Sequence, residues 1–264
     1  CETNSIPAVI KGDHMEKHPT LTIGDDAYEL PIVESTIGDI GLNITKLRSE
    51  SGYITYDNGF GNTCGTQSSI TYLDGEKGVL LYRGYEISEL AKKCSFLEVA
   101  YLLINGSLPN AQELSDYENN VKEHTMLNED FKHYYDVWPR TAHPMGLLSS
   151  AVSGLSSFFS DSLDPHNPEH VHISTIRLLA KLPTIAAYAY KKFQGQPFVY
   201  PLDKLDYSEN FLNMMFAVPT REYEIDPDSA AALNALPTLH ADHEQTCSTT
   251  TVRTVGSPPA NMFA

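Results

Sequence analysis

The sequence predicts a mainly α protein with a small β-rich segment on its N-terminal side. Two observations point there. Runs of β-branched and aromatic residues broken by Gly-Asp or Asp-Gly pairs are confined to the first third of the chain. From Glu89 onward one helical apolar period follows another, without βαβ alternation or an internal repeat. These divide the chain into a leader or disordered tail over 1–20, a β-rich segment over 21–88 and a helical part over 89–264.

Residues 1–20 combine Pro7, Gly12 and Pro19 with mixed charge and no apolar period, so they bury little surface. Met15 offers a start with the first fourteen residues as a leader. LTIGDDAYELPIV reads as a hairpin about its Gly-Asp-Asp turn. GYITYDNGFGNT alternates aromatic and small residues, which predicts short strands with loops. ITYLDGEKGVLLYRGY repeats the hairpin layout about an Asp-Gly turn. Ser95 with Glu98 forms a capping box ahead of FLEVAYLLI, and Asn105-Gly106 stops that helix. Asn110 with Glu113 starts another, with Leu114, Tyr117, Val121 and His124 along one face. MGLLSSAVSGLSSFF is apolar or small nearly all round, which predicts a buried helix with close neighbours. Residues 173–193 form a long apolar helix in which Pro183 predicts a kink. Asp206 with Glu209 caps YSENFLNMMFAV, which ends at Pro219.

Composition narrows the function. A chain of 264 residues with 41% hydrophobic content can bury an enzyme-sized core. A formal charge of −16 argues against nucleic acid and anionic membranes, because no basic surplus exists to neutralise phosphates. No apolar run approaches the ~20 residues of a membrane span, and the N-terminus lacks a signal-peptide layout. Cys1, Cys64, Cys94 and Cys247 show no CxxC spacing, so a reducing cytoplasmic location is expected.

The densest group of reactive side chains is LHADHEQTCSTTTVR, residues 239–253. His240, Asp242, His243 and Glu244 are metal-ligand types, but an HxHxDH site would need histidine at Thr238, and HExxH is absent. No metal is therefore expected. Two readings remain: a polar helix end with satisfied side chains, or a substrate site in which an imidazole holds a carboxylate or keto oxygen while the acids orient it. His166, Glu169, His170 and His172 in DPHNPEHVH read as a loop entering a helix. Walker, GxGxxG and GxSxG motifs are absent, which leaves nucleotide and serine-hydrolase readings without support.

LHADHEQTCSTTTVR resembles the bacterial type II citrate synthases. The resemblance runs in the family's order through SSITYLDGEKGVLLYRGYEISELAKK, SFLEVAYLLINGSLPN, KEHTM, RTAHPM, IRLLAKLPTIAAYAYKKFQGQPFVYP and ENFLNMMFAVP. It covers roughly 28–264. It implies the family's helical large domain, incomplete at its C-terminal end, in a homodimer or hexamer that condenses oxaloacetate with acetyl-CoA. It implies no cofactor, acetyl-CoA being a substrate. By the same resemblance the second histidine of HADHE, His243, binds oxaloacetate, with Asp242 and Glu244 as orienting groups. The family's enol-stabilising histidine stands in an HGGAN-like segment beyond Ala264. Its ketone-polarising histidine, catalytic aspartate and oxaloacetate-binding arginines stand further on. No catalytic residue is therefore assigned within these 264 residues, and the chain alone is expected to be inactive.

Two departures from the family pattern stand near HADHE. Pro237 interrupts what is otherwise an apolar helix, where an interior proline costs about 3 kcal/mol or more. Ser257-Pro258-Pro259 replaces small polar residues. Type II enzymes often carry an NADH site as well, and of its positions this sequence keeps His124, Thr125, Arg177 and Lys181. Glu123 stands where an arginine would aid phosphate binding and Phe159 where a tyrosine is usual, and the Glu123 charge opposes a dinucleotide's phosphates. The rival functions are 2-methylcitrate synthesis from propionyl-CoA and a catalytically dead interaction or assembly protein.

Overall fold

The computed structural model describes residues 19–35, 37, 40–245, 247–256 and 261–263. The expected leader lies outside these residues up to 18, and Thr20 already begins the first strand. Contacts divide the chain between Glu86 and Ile87 into two compact units.

The first unit is built from short antiparallel pairs. β1 (Thr20–Ile23) and β2 (Asp26–Glu29) form the expected hairpin, in register from Thr20 opposite Glu29 to Ile23 opposite Asp26. Its turn needs Gly24, whose φ of 64° penalises any Cβ. β3 (Ile32–Val33) pairs with β4 (Gly41–Leu42), and the short helix α1 (Leu47–Ser51) contacts β2. β5 (Thr71–Asp74) and β6 (Val79–Tyr82) form the second hairpin, and β7 (Tyr85–Glu86) extends it. The strands expected in GYITYDNGFGNT do not form. Asp57 accepts from the Asn62 amide at 2.8 Å and the Thr63 hydroxyl at 3.0 Å, coiling this stretch on itself instead of pairing it. The Asn62 amide, foremost among these donors, holds the Asp57 carboxyl below the usual range.

The second unit is helical: α2 (Ile87–Lys93), α3 (Phe96–Asn105), α4 (Ala111–Glu123), α5 (Pro144–Gly154), α6 (Pro168–Gln194), α7 (Tyr207–Phe216), α8 (Pro227–Leu239) and α9 (Cys247–Val255). All three expected capping boxes are present, at Ser95–Glu98, Asn110–Glu113 and Asp206–Glu209. Gly106 ends α3 in the left-handed conformation, as the Asn-Gly pair predicts. Among the described residues no helix is long and apolar enough to cross a membrane.

The long helix α6 packs against α4, α5 and α7. One apolar cluster joins Ile185 and Tyr188 to Leu147 and Leu155 and to Phe131 and Tyr135 of a 3-10 turn. Another joins Ile176 and Ala180 to Leu97, Tyr117 and Val121. Each large side chain so buried contributes roughly 1.5–3 kcal/mol. α6 starts five residues before the expected boundary and runs through Pro183. That proline has no N–H for the Leu179 carbonyl four residues back, and the Tyr207 hydroxyl donates to it instead at 2.8 Å.

α5 departs from expectation. Only Leu147 and Ala151 along its length are buried, while Met145, Gly146, Ser149 and Ser153 lie exposed. Ser149 and Ser150 turn their hydroxyls onto the helix's own Gly146 carbonyl, so small size at these positions leaves an open face. The sequence pattern recorded small side chains; only the fold shows that one side is uncovered.

Two α6 positions three residues apart test this layering. Ile185 is fully buried and Leu182 is 37% exposed. Ile185→Ala is expected to cost about 2–5 kcal/mol in urea unfolding, and Leu182→Ala about 1 kcal/mol or less. Equal losses would contradict the packing.

Candidate functional site

α8 carries the HADHE segment at its C-terminal end. Asp226 caps its start, its carboxylate accepting from the Ser229 amide at 2.9 Å, and Pro227 occupies the first turn, where no N–H is needed. Pro237 is tolerated two residues from the end, and the helix stops at Leu239. A series of four-residue back-bonds finishes it. The Thr238 hydroxyl donates to the Asn234 carbonyl at 3.2 Å, His240 Nδ1 to that of Leu236 at 2.8 Å and His243 Nε2 to that of Leu239 at 3.0 Å. A carbonyl only accepts, so each facing ring nitrogen carries the proton. The two imidazole bonds satisfy carbonyls of the last turn, Leu236 and Leu239, that a helix end leaves without partners.

Both imidazoles are therefore tethered to the helix that precedes them, with ring centroids 6.1 Å apart. Asp242, His243 and Glu244 are half-buried, whereas His240 and Ala241 are exposed. Glu244 has φ 59°, a left-handed conformation that costs a non-glycine residue about 1–3 kcal/mol. Among the described residues no three His, Cys, Asp or Glu side chains converge as a metal site would require. The segment is an exposed to half-buried run of polar side chains, with Nε2 of His243 tied back to the helix.

Earlier on α8, Asn234, which spacing did not single out, ties the helix to the α2–α3 junction. Its Oδ1 accepts from the Phe96 amide at 2.7 Å and its Nδ2 donates to the Cys94 carbonyl at 3.2 Å. One side chain thus satisfies both backbone groups flanking Ser95 at the α2–α3 junction. Thr238, one turn along α8, is fully buried.

His124, Thr125, Arg177 and Lys181 do come together, at the α4–α6 junction. Lys181 is 4% exposed and donates to the His124 carbonyl at 2.5 Å and the Met126 carbonyl at 2.7 Å. Thr184 donates to the Thr125 carbonyl at 2.9 Å. Arg177 grips Asp161 with both terminal nitrogens, at 2.8 and 3.0 Å, and reaches the Ser162 hydroxyl at 2.8 Å. The two cations lie 4.4 and 5.2 Å from the centre of the Phe159 ring. Both are engaged within the chain. The Asp161 partner, sixteen residues from Arg177, had no signal in the sequence. At DPHNPEHVH, Asn167 caps α6 as a loop entering a helix should.

The family described as "Citrate synthase, C-terminal domain" matches residues 59–264. Citrate synthase 1 of Mycobacterium tuberculosis is 52% identical over 244 residues, which are 92% of this chain and 57% of that protein. Citrate synthase of Corynebacterium glutamicum is 49% identical over 236 residues, 89% of this chain and 54% of that one. The chain thus spans a little over half the length of these relatives. Among solved structures, citrate synthase from Pyrobaculum aerophilum superposes with a TM-score of 0.66 at 34% identity, covering 78% of this chain and 52% of its own.

Burial, and after it the Arg177 charge, pulls the Lys181 amine down from 10.5 to about 8. Between those values the unfolded chain binds more protons than the folded one. The contribution to stability is therefore full above 10.5 and lost as pH falls through 8. Its slope reaches about 1.4 kcal/mol per pH unit. The Cys94 thiol, pushed up to about 11 by burial, opposes this above pH 9 but is common to any Lys181 variant. Urea unfolding between pH 8 and 9 should rise more steeply for the parent protein than for Lys181→Met; parallel lines would refute the assignment.

Proposed function

The chain belongs to the citrate synthase family, and on that premise we propose that its full-length polypeptide condenses oxaloacetate with acetyl-CoA and water to give citrate and CoA. Acetyl-CoA, as a substrate, is chosen over propionyl-CoA because the relatives are named citrate synthases. No cofactor is required, and a cytoplasmic location goes with this reading.

The observation that carries the site is the tether of His243 to Leu239. With Nε2–H committed to a carbonyl, Nδ1 alone faces the substrate. It donates to an oxaloacetate oxygen when the ring is doubly protonated, a charge-assisted bond to a carboxylate. Asp242 and Glu244, half-buried on either side, orient the imidazole and offset its charge.

Condensation also needs a base at the acetyl methyl, a donor at the enol oxygen and a donor at the ketone. Among the described residues, every carboxylate whose proton affinity is clearly displaced moves downward, Asp161 and Asp226 among them, which suits ion pairs and caps better than proton abstraction. We assign those three roles to the remainder of the full-length polypeptide. The isolated chain is then inactive, since losing one positioned donor alone costs ~10²–10³ in rate. The open face of α5 favours self-association of the full-length polypeptide as a dimer or hexamer. An NADH site at His124, Thr125, Arg177 and Lys181 is the weaker reading, because Lys181 and Arg177 already serve backbone carbonyls and Asp161.

The test is release of free CoA from acetyl-CoA and oxaloacetate, comparing the isolated chain with a polypeptide extended to the length of its relatives. Turnover is expected only from the longer one. In it, His243→Ala should raise the oxaloacetate KM on the order of 10–100-fold and change the acetyl-CoA KM far less. Turnover by the isolated chain, free of host enzyme, would overturn the division of roles.

A further inference from the structure

We infer that Asn234 is a positioning residue for oxaloacetate binding, acting through His243; this rests on the substrate role proposed above for that histidine. Asn234 does not belong to the HADHE segment. It stands two turns earlier on α8, and its bonds reach 138 and 140 positions back along the chain. Phe96 is the first residue of α3, so its amide has no acceptor within that helix. Cys94 follows the last turn of α2. Asn234 supplies an acceptor to the one and a donor to the other, and an amide side chain does both at once.

That pair of bonds fixes α8 in two respects. Sliding the helix by a turn would carry the side chain about 5.4 Å away. Rotating it by one residue, about 100°, would turn the side chain off the junction altogether. Apolar contact with α2, α3 and α7 is less selective, because the partly buried positions of α8 include the small alanines 230 and 235. Small side chains pack in several rotations, and a directional amide selects one. The choice is then transmitted without slack. Thr238 is bonded to the Asn234 carbonyl, His240 to Leu236 and His243 to Leu239, so the rings move with the helix axis.

The chemistry separates this role from general support. A carboxylate bound by a ring nitrogen tolerates little misplacement, and a shift of about 1 Å at a remote position can cost on the order of 10²-fold. Acetyl-CoA, which by this reading meets other parts of the full-length enzyme, is insensitive to the azimuth of α8. Asn234→Ala should therefore separate the two substrates.

The experiment uses the full-length enzyme, with active-site concentration measured independently. Asn234→Ala is expected to raise the oxaloacetate KM on the order of tenfold while leaving the acetyl-CoA KM within about twofold. Asn234→Asp keeps an acceptor for the Phe96 amide but has no donor for the Cys94 carbonyl, so it should recover only part of the loss, and it keeps the inference testable if the alanine variant does not fold. Hydrogen exchange at the Phe96 amide should quicken in Asn234→Ala and much less in Asn234→Asp. If His243→Ala raises the oxaloacetate KM but folded Asn234→Ala does not, the positioning role is wrong and the site reading stands. The inference also fails if both KM values rise together, or if Asn234→Asp is no better than alanine. If His243→Ala itself leaves the oxaloacetate KM unchanged, the site reading falls and this inference falls with it.

Discussion

The helical unit depends on where the carbonyls at its helix ends find donors. A buried carbonyl without a partner costs about 1–3 kcal/mol, and several helix ends meet in the interior. α6 answers this with side chains that ordinarily belong in water. Lys181 donates to the carbonyls of His124 and Met126 just past α4. Lys191, fully buried, donates to the Ala217 carbonyl that closes α7 at 2.6 Å, and to Gln196 at 2.9 Å. Burial pulls both amines below their usual range. Burying an ammonium is costly, and it is tolerated here because each has two oxygens to bond. Pro183, between the two lysines, exposes a third contact, since the carbonyl it cannot serve goes to Tyr207 at the first position of α7.

This arrangement reaches the candidate site through neighbours. α6 holds α4 and α7, α7 packs on α8, and α8 ends in the two tethered histidines. The polar side of that chain is closed by Asn234 at the α2–α3 junction. The site is thus an end point of helix packing, and its polar residues contribute little to holding the fold. Glu244 in a left-handed conformation fits this picture, because strained backbone persists where the surroundings determine it and binding benefits from it.

Charge sets a further condition. A chain of net charge −16 repels a dicarboxylate at long range, so any binding of one is local and needs fixed donors. Two of the best buried cations, Arg177 and Lys181, are already spoken for by Asp161 and by backbone carbonyls. On the proposed reading, the imidazole at position 243 supplies such a donor.

The amino-acid sequence by itself determined the features that depend on neighbours within a few residues. The capping boxes at Ser95, Asn110 and Asp206, the stop at Gly106 and both hairpins are such features, since i to i+3 chemistry and turn residues act before any tertiary contact forms. The family likeness at HADHE was legible for the same reason, as a contiguous string. Tertiary structure alone decided which sides of those elements were covered. GYITYDNGFGNT alternates like a strand, yet Asp57 coils it, because a carboxylate bonding local amides competes with a ladder. MGLLSSAVSGLSSFF reads as apolar or small nearly all round, yet one side of it is open. Lys181 and Lys191 are charged side chains that lie inside, and Asn234, which spacing did not single out, ties α8 to a junction 138 residues away. Spacing along the chain carries no information about a partner that far off; only folding brings the donor to its acceptor.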